Sequence, residues 1–417
     1  MIVRKGFKYR IYPNREQQQK LAVQFGHTRY IYNWGFAQSQ EKYPGYNHLA
    51  KQLPILKAST ETAWLKEAHS QVLQQALKDL DRAFQNFFEK RGGYPHFKSK
   101  RTKQSIRYPQ PKESWLGPDG QHIYLPKVGH VRLVLHRPLE GVMKNVTVLR
   151  AKSGKYFVSI QVEMAMEEPV FTGGAVGLDF GLGEFATLST GEKIVPPQYY
   201  RRAQEKRRRF ARQLSRKKRG SRNREKARLR LARLDEKIAN QRLDFQHQLS
   251  RKLVEENQFI GLEDLNVRGM LANHHLAKSI GDAGWSAFVT MLGYKGEWYG
   301  CRVEKISRWY PSSKTCSVCG AKMEALPLNV RLWQCPVCET VHDRDVNAAI
   351  NILKQSTAGV AGSNAWGQSV GPSTDGYAGR TRKRQLALAV GSSRSLGSGG
   401  GYPGPGEYAL VTGVSRR

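Results

Sequence analysis

The sequence has no long apolar segment and no signal-like start. Among its 417 residues there is no run of about 18 apolar side chains, the length that a membrane-spanning helix requires. Residues 1–10 alternate basic and apolar side chains and contain no apolar signal core. These absences predict a soluble protein that remains in the compartment where it is synthesised.

The sequence is also poor in acidic residues. It has 34 Asp and Glu against 68 Lys and Arg, which gives a formal net charge of +34. Such an excess repels itself unless a polyanion neutralises it, and nucleic acid is the polyanion best suited to do so. A membrane surface is the weaker interpretation, because no basic run adjoins an apolar anchor. Since 39% of the residues are hydrophobic, the chain can build about two to three folded domains, and wholesale disorder is excluded.

Cysteine is scarce, and its spacing predicts a metal site. Five cysteines in 417 residues exclude a disulfide scaffold. Four of them form two Cys-x2-Cys pairs separated by fifteen residues: Cys316, Cys319, Cys335 and Cys338. Two such knuckles complete a tetrahedral thiolate site for Zn²⁺, which is structural because sulfur closes all four positions. The alternative is four unrelated buried thiols, and Cys301, outside the pattern, is assigned to a core.

The first half of the chain mixes strands with helices. Alternation and branched side chains predict strands at 3–12, 131–135, 145–149 and 156–162, and apolar spacing of three and four predicts helices at 17–40 and 71–90. We expect the strands to share one barrel, with the helical residues between them as an insertion.

The second half carries an unusually basic helical segment. Two apolar strands joined by a glycine-rich hairpin are predicted at 175–188, and a pair of long helices, broken at Gly220, at 199–256. Residues 201–233 contain 17 Lys and Arg against two Glu, a net charge of +15. An apolar seam along the second helix indicates that one side packs and the other faces an anionic partner. A solvated charged helix is the alternative.

Three acids occupy positions where a carboxylate is costly. Asp179 lies inside an apolar strand, Glu263 ends another, and Asp345 falls in the first turn of a predicted helix. Buried carboxylates need a positive partner, and Mg²⁺ takes carboxylate oxygens plus water. Two such ions about 4 Å apart can activate water and stabilise the leaving oxygen of a phosphodiester. Taken singly, each acid has an equally good structural role: Asp179 as a hairpin acid, Glu263 as a strand-end acid and Asp345 as a helix cap. Only the combination of the three predicts a metal site.

Several segments carry a family resemblance. They are GLDFG at 177–181, GLEDL at 261–265, YPSSKTCSVCG at 310–320 and HDRDVNAA at 342–349, with shorter matches at 93–98, 282–285, 292–295 and 298–300. Together they resemble the TnpB family of transposon-encoded, RNA-guided DNA endonucleases, which are related to the type V CRISPR effectors. The resemblance covers residues 2–353.

The resemblance implies an α/β multidomain architecture. It consists of a wedge β-barrel at 1–13 and 112–170 with a helical recognition domain inserted at 14–111, then a RuvC-like nuclease domain of RNase H fold at 171–310 and 341–354, interrupted by a zinc-binding target-nucleic-acid module at 311–340. The Gly- and Ser-rich segment 355–417 is expected to be a disordered tail.

The resemblance also implies the activity and its parts. By motif, the catalytic acids that would hold Mg²⁺ are Asp179, Glu263 and Asp345, whereas Asp343 is left as a helix-start acid. Expected partners are a guide RNA from the transposon end and double-stranded target DNA beside a short adjacent motif, with one protein per RNA, in the prokaryotic cytosol. Gln71 and Gln74 are candidates for reading that motif.

Charge alone suggests the residues that hold nucleic acid. They are Lys98, Lys100, Arg101, Arg207, Arg208, Arg209, Arg216, Lys217, Lys218 and Arg219. A guided nuclease lets base pairing read sequence and holds the heteroduplex by shape and phosphate contacts, which suits a large diffuse charge.

Two other functions remain open at this stage. One is a guided DNA-binding repressor that does not cut, although all three acids are present. The other is an unguided zinc-ribbon DNA-binding transposition protein, which leaves Asp179 and Glu263 without a role.

Removal of zinc is expected to unfold residues 316–338 and impair cutting without moving the acids.

Overall fold

The computed structural model describes residues 1–39, 41–101, 104–167 and 173–358. The predicted tail therefore lies outside the described residues from 359 onwards. The chain divides into two compact units, of which the first spans Ile2–Ala165 and the second is described here over residues 166–358. In the described residues, no helix is both long and apolar enough to cross a membrane.

A six-stranded antiparallel sheet organises the first unit. Its strands are β1 (Ile2–Tyr12), β2 (Gln104–Tyr108), β3 (His122–Leu125), β4 (Gly129–Val134), β5 (Val142–Arg150) and β6 (Tyr156–Ala165). The order is β2-β5-β6-β1-β4-β3, so β1 pairs with strands that follow it by more than a hundred residues. Side chains of both edge strands enter one core, where the Tyr108 hydroxyl donates to the Pro126 carbonyl at 3.2 Å.

Three helices lie between β1 and β2 in the sequence. They are α1 (Arg15–Ala37), α2 (Tyr46–Ala58) and α3 (Ser70–Phe88). Asn14 and Gln17 form a capping box that starts α1 directly after the first strand. The helices share a second core that contains Ile31, Leu49 and Leu77.

Two details of the first unit differ from the sequence prediction. Residues 104–108, which the sequence prediction assigned to the helical segment, form β2 and pair with β5. The chain therefore returns to the sheet before residue 112. Their run, Gln-Ser-Ile-Arg-Tyr, is too short to show strand periodicity by itself. Helix α2 was not predicted, because Pro54 stands inside it and its apolar pattern is weak.

A mixed five-stranded sheet organises the second unit. Its strands are β7 (Ala175–Asp179), β8 (Ala186–Leu188), β9 (Lys193–Ile194), β10 (Phe259–Glu263) and β11 (Arg302–Ile306), in the order β11-β10-β7-β8-β9. Strands β7, β8 and β9 are antiparallel neighbours, whereas β10 runs parallel to both β7 and β11. The carboxyl ends of β7 and β10 consequently meet at one edge of the sheet.

Helices connect and cover these strands. They are α4 (Tyr199–Ser215), α5 (Arg222–Glu256), α6 (Val267–Met270), α7 (Ala277–Ala283), α8 (Trp285–Tyr299) and α9 (Arg344–Ala358). The predicted break at Gly220 is confirmed, and the turn is fixed by Arg224, whose guanidinium donates to the carbonyls of Leu214 and Lys217 at 2.8 and 2.9 Å. Residues 355–358, assigned to the tail, belong to α9.

Helix α9 approaches the sheet very closely at two glycines. A Cβ on Gly177 would lie 2.1 Å from the Ala349 carbonyl oxygen, and one on Gly261 would lie 2.3 Å from the Ser356 hydroxyl. At Gly177 only glycine permits this approach without moving the α9 backbone, whereas at Gly261 an added Cβ would displace the Ser356 hydroxyl. Because side chains alternate along a strand, Asp179 and Glu263 lie on the same face of the sheet as these glycines. Both acids are thereby placed on the face that α9 covers.

A small two-stranded module precedes α9. Its strands are β12 (Leu332–Gln334) and β13 (Val341–Asp343), which are antiparallel. The module encloses a core of Cys316, Leu326, Trp333 and Cys335. Strand β13 leads directly into α9, so the module and the helix are continuous.

Candidate functional site

The first candidate site lies at the carboxyl ends of β7 and β10. Gly177 pairs with Gly261 and Leu178 with Leu262, so Asp179 and Glu263 follow in register on adjacent parallel strands. Their side chains hydrogen-bond to each other. The Ser312 hydroxyl donates to Glu263 Oε1 at 3.0 Å. The structure therefore brings together two of the predicted acids and adds a serine that orients one of them.

Burial and mutual repulsion make this carboxylate pair hold protons unusually well. Burial raises the pKa of Asp179 well above its ordinary value, and the charges of Glu263 and Asp345 raise it further, against the Arg344 guanidinium. Burial also raises the pKa of Glu263, against the hydrogen bonds from Ser312 and Asp179. Two adjacent carboxylates that resist ionising together are suited to a divalent cation, because the cation replaces the shared proton.

Asp345 joins this site from the first turn of α9. Its two carboxylate oxygens accept from Arg331 Nη1 at 3.1 and 3.2 Å. Its charge acts on Asp179. Among the described residues, however, only the four cysteines place three or more metal-ligating atoms within 4.8 Å of one another. Asp345 is thus beside the other two acids while engaged by an arginine.

The neighbouring Asp343 has the helix-start role that the sequence assigns to it. Its Oδ1 accepts from the backbone N–H groups of Asp345 and Val346 at 3.0 and 3.1 Å, which caps α9. Its Oδ2 accepts from Lys193 Nζ at 2.6 Å. The cap fixes the turn that carries Asp345.

Asp179→Asn should stabilise the protein when Mg²⁺ is absent. The raised pKa means that folded Asp179 retains a proton that the unfolded chain releases, so this acid costs stability as pH rises above its unfolded pKa of about 4. Asparagine removes that cost at similar size. We expect the thermal midpoint of the variant to exceed that of the wild type at pH 8 and the difference to shrink towards pH 4.5, in zinc-containing buffer. A difference that does not change with pH would contradict the assignment.

The second candidate site is the cysteine cluster, which the structure assembles as predicted. The ligand atoms of Cys316, Cys319, Cys335 and Cys338 all lie within 4.8 Å of one another. The Sγ atoms of Cys316 and Cys338 are 3.6 Å apart, as are those of Cys319 and Cys335. Tetrahedral Zn²⁺ with bonds of about 2.3 Å places its sulfurs about 3.8 Å apart, so the cluster fits zinc.

Helix α9 is bonded directly to the first cysteine knuckle. Asn347 Oδ1 accepts from the backbone N–H of Ser317 at 2.8 Å, and its Nδ2 donates to the Thr315 carbonyl at 2.8 Å. Asn351 Nδ2 donates to the carbonyls of Ser312 and Thr315 at 2.8 and 2.6 Å. The knuckle is therefore attached to the helix that carries Asp345 and, through Ser312, to Glu263.

These bonds argue against the expectation that zinc removal leaves the acids in place. The segment that would unfold begins at Cys316, next to Thr315, which is bonded to both asparagines of α9. Arg344, in the first turn of α9, also donates to the Pro327 carbonyl of the module at 2.6 Å. Loss of the knuckle removes supports of both Glu263 and Asp345.

The predicted basic residues of the helical hairpin have different surroundings. Arg207 pairs with Asp235 at 2.7 Å, Arg208 with Glu205 at 3.0 Å, and the Arg209 guanidinium lies 5.8 Å from the Phe210 ring centroid. The turn residues are exposed on the short segment between α4 and α5, and they are Arg216, Lys217, Lys218 and Arg219. The turn therefore presents exposed cations to solvent, whereas Arg207 and Arg208 on α4 are already paired with acids.

The predicted nucleic-acid residues of the first unit lie in the segment after α3 and near the start of α3. The Asn33 side chain on α1 donates to the Lys98 carbonyl at 2.9 Å and accepts from the Lys98 backbone N–H at 2.7 Å, and the Lys98 ammonium lies 3.7 Å from the Tyr32 ring centroid. Lys100 and Arg101 are exposed. Near the start of α3, Gln71 donates to Gln110 Oε1 at 2.6 Å, and Gln74 is exposed.

Gln71 lines an open groove whose walls include three lysines. The groove has a volume of about 640 Å³ and is lined in part by Gln110, Lys66, Lys112 and Lys127. No sequence pattern connects these residues, because they come from three separate segments.

Sequence reasoning missed five residues that the structure places at the two sites. Ser312 and Arg331 contact the acids, and Asn347 and Asn351 bond the knuckle. Ser312 and Asn347 lie within the segments that carry the resemblance, which could have drawn attention to them. Arg331 lies in a loop without any recognisable pattern. His342 Nε2, 3.1 Å from Cys316 Sγ, was likewise overlooked beside the acids of its motif.

Comparison with known proteins gives matches over nearly the whole chain. A protein of Streptomyces pristinaespiralis named "Putative RNA-guided DNA endonuclease" is 42% identical over 379 residues, covering 89% of this chain and 92% of the relative. "Putative RNA-guided DNA endonuclease InsQ" of Escherichia coli (strain K12) is 36% identical, covering 85% and 93%.

Three family profiles match successive parts of the chain. Residues 1–46 match a profile described as a helix-turn-helix domain, although the described residues of this range form strand β1, helix α1 and the first residue of α2. Residues 157–274 match OrfB_IS605, described as "Probable transposase", and residues 285–352 match the Cas12f1-like TNB domain. With relatives that share more than a third of their residues along most of their length, the chain belongs to the OrfB_IS605 (TnpB) family.

Proposed function

We propose that this protein is an RNA-guided, double-stranded DNA endonuclease of a transposon. It cleaves target DNA beside a short transposon-adjacent motif by Mg²⁺-dependent hydrolysis of phosphodiester bonds. The observation that carries the proposal is the placement of Asp179 and Glu263 on adjacent strand ends with Asp345 beside them on α9. The names of the relatives from Streptomyces and Escherichia coli support the same activity.

In this proposal the second unit contains the nuclease. The mixed sheet with α9 is a RuvC-like domain of RNase H fold, interrupted by the zinc module, and the first unit supplies the wedge sheet and the helical recognition segment. The acids converge because parallel pairing aligns two of them and the close approach of α9 delivers the third. One guide RNA per protein is the expected assembly.

The chain's own residues prepare the reaction. Asp179, Glu263 and Asp345 would hold Mg²⁺, which when bound supplies an activated water and stabilises the departing oxygen. Ser312 orients Glu263. Arg331 can exchange its bond with Asp345 for the phosphate of a bound strand, since guanidinium binds phosphate as it binds carboxylate. Release of that bond frees Asp345 for the cation.

The basic hairpin and the loop after α3 hold nucleic acid through phosphate contacts. The excess charge between Asp179 and Glu263 lies within the nuclease's own sequence, and the turn at 216–219 presents four exposed cations. In the first unit, Lys98, Lys100 and Arg101 do the same. Gln71 and Gln74 read the adjacent motif by amide hydrogen bonds, with the basic groove beside Gln71 holding the DNA backbone.

Removal of the turn cations should weaken binding without changing which sequence is bound. Replacing Arg216, Lys217, Lys218 and Arg219 with alanine is expected to lower affinity for guide RNA or target and to reduce the slope of log K against log salt by about 0.7–0.9 for each phosphate that the variant no longer binds. Filter binding over a salt series measures this slope. As a matched control, Arg251 and Arg302, which are ion-paired with Glu255 and Glu304, are replaced with alanine and should leave the slope unchanged.

The proposal is tested by the RNA that accompanies the protein. We expect protein expressed with its native flanking DNA to purify with one discrete transcript that derives from the transposon end. Sequencing of the extracted RNA measures this. A heterogeneous mixture of cellular RNA without that transcript would oppose guidance and favour an unguided DNA-binding protein.

A further inference from the structure

One tryptophan stands almost fully in solvent beside the acidic site. Trp309 is 86% exposed, the largest fraction among the exposed large hydrophobic residues in the described part of the chain. Tryptophan commonly buries 150–250 Å², so an indole presented to water in this way contributes nothing to a core. Its exposure therefore calls for a partner that the folded chain does not supply.

The turn that carries Trp309 is attached to the acidic site on both sides. On one side, Arg308 forms an ion pair with Asp264, the residue that follows Glu263. On the other side, the Ser312 hydroxyl donates to Glu263 Oε1 at 3.0 Å. Three residues of chain span at most about 11 Å, so the Trp309 backbone lies within that distance of Ser312.

The turn itself is ordered by its own hydrogen bonds. The backbone N–H of Tyr310 donates to the Ser307 carbonyl at 3.1 Å, and that of Ser312 donates to the Tyr310 carbonyl at 2.9 Å. The backbone under the indole is consequently fixed, while the ring remains accessible. An accessible ring on a fixed backbone loses less entropy when a flat ligand stacks on it than a ring on a loose loop does.

The charges around Trp309 identify the class of partner. Lys305 and Arg308 precede Trp309 on the same segment and share Asp264 as their ion-pair partner, so together they keep an excess positive charge. Lys314 adds a third cation five residues after Trp309. An exposed aromatic ring among cations is the combination that holds single-stranded nucleic acid, with the ring stacking on a base and the cations near its phosphates. Paired bases are stacked within the duplex and present no free face, so the occupant must be an unpaired nucleotide.

We propose that Trp309 stacks against an unpaired nucleobase of the target DNA strand and thereby positions the neighbouring phosphodiester at Asp179 and Glu263. The inference rests on the proposed function, because the stacked strand is the one being cut. Trp309 is a positioning residue, since it contacts the substrate beside the reacting bond and takes no part in the chemistry.

The test combines protein variants with abasic DNA. Cleavage of a guide-matched target is measured under single-turnover conditions for wild type, Trp309→Ala and Trp309→Phe. Each is tested on a series of targets with one abasic nucleotide moved along the region of the cut. We expect Trp309→Ala to lower the cleavage rate at subsaturating target by about 10- to 100-fold, and Trp309→Phe to restore most of it.

The abasic series separates stacking from other causes. At one position, the missing base should lower the wild-type rate and have no further effect on Trp309→Ala, because the partner of the ring is already absent. Val195→Ala, which shortens an apolar side chain that is 72% exposed just after β9 in the second unit, is the control and should cut like the wild type. Equal thermal midpoints show that the variants are folded.

Failure of this inference is distinguishable from failure of the proposed function. If the wild type cuts matched DNA and Trp309→Ala cuts equally fast, stacking is wrong and the nuclease assignment stands. The stacking is also wrong if, at every abasic position, the missing base lowers the rate of Trp309→Ala by the same factor as it lowers the rate of the wild type. If the wild type cuts no matched DNA at all, the proposed function fails and this inference falls with it.

Discussion

Replacement of Asp179 by asparagine is expected to abolish DNA cleavage while leaving target binding intact. Asp179 is hydrogen-bonded to Glu263, and the charges of both other acids raise its pKa, so in the proposed function it is the central one of the three acids that would hold Mg²⁺. Metal catalysis is worth several kcal/mol of transition-state stabilisation, which corresponds to a rate loss of at least about 10³-fold. The measurement is linearisation of a matched plasmid, with binding followed in parallel by gel shift.

Asp244→Asn is the matched control for this variant. Asp244 lies on α5 of the same unit and accepts only a surface hydrogen bond from Gln248 at 3.1 Å, so its replacement should leave cleavage within a few-fold of wild type. Cleavage by Asp179→Asn at the wild-type rate would remove Asp179 from the active site. Loss of binding together with cleavage would instead indicate a structural role.

Removal of zinc should abolish cleavage by disturbing both sides of the acidic site. Structural zinc contributes about 10–16 kcal/mol of apparent binding free energy, which is larger than the stability of most domains. The knuckle it holds is bonded to α9 through Asn347 and Asn351 and to Glu263 through Ser312. We therefore expect the zinc-free protein to lose cleavage and to become sensitive to proteases between residues 316 and 338.

Three variants show whether zinc acts through these bonds. Cys335→Ser should lose zinc, measured by atomic emission, whereas Cys301→Ser, outside the cluster, should retain both zinc and cleavage. Asn351→Ala should keep zinc and still cut more slowly, because it removes two bonds between the knuckle and α9. A zinc-free protein that cuts at the wild-type rate would show that the module is independent of the acids.

Local patterns were enough to predict several features of the second unit. The Cys-x2-Cys pairs and the pair of helices broken at Gly220 each follow from residues that are neighbours in the sequence. The acids were predicted because a carboxylate in an apolar strand is costly wherever the strand pairs. Such features are predictable because the residues that determine them lie within a few positions of one another in the sequence.

Features that depend on distant residues were not predictable in this way. Strand β2 is identified by its pairing with β5, some forty residues later, and not by its own five residues. Gly177 and Gly261 reveal their role only when α9 lies on them. Arg331 contacts Asp345 because β13 leads the chain directly into α9. No periodic pattern in the sequence predicts that contact.

Cleavage of a supercoiled plasmid by the purified protein with its co-expressed RNA tests the central claim most directly. The plasmid carries a sequence matching the RNA beside the adjacent motif, and the assay is run with and without Mg²⁺ and with a mismatched plasmid. The proposed function predicts that the protein with its RNA forms linear product only when the plasmid is matched and Mg²⁺ is present. A matched plasmid that is bound but stays supercoiled, or one cut equally without the RNA, would contradict it.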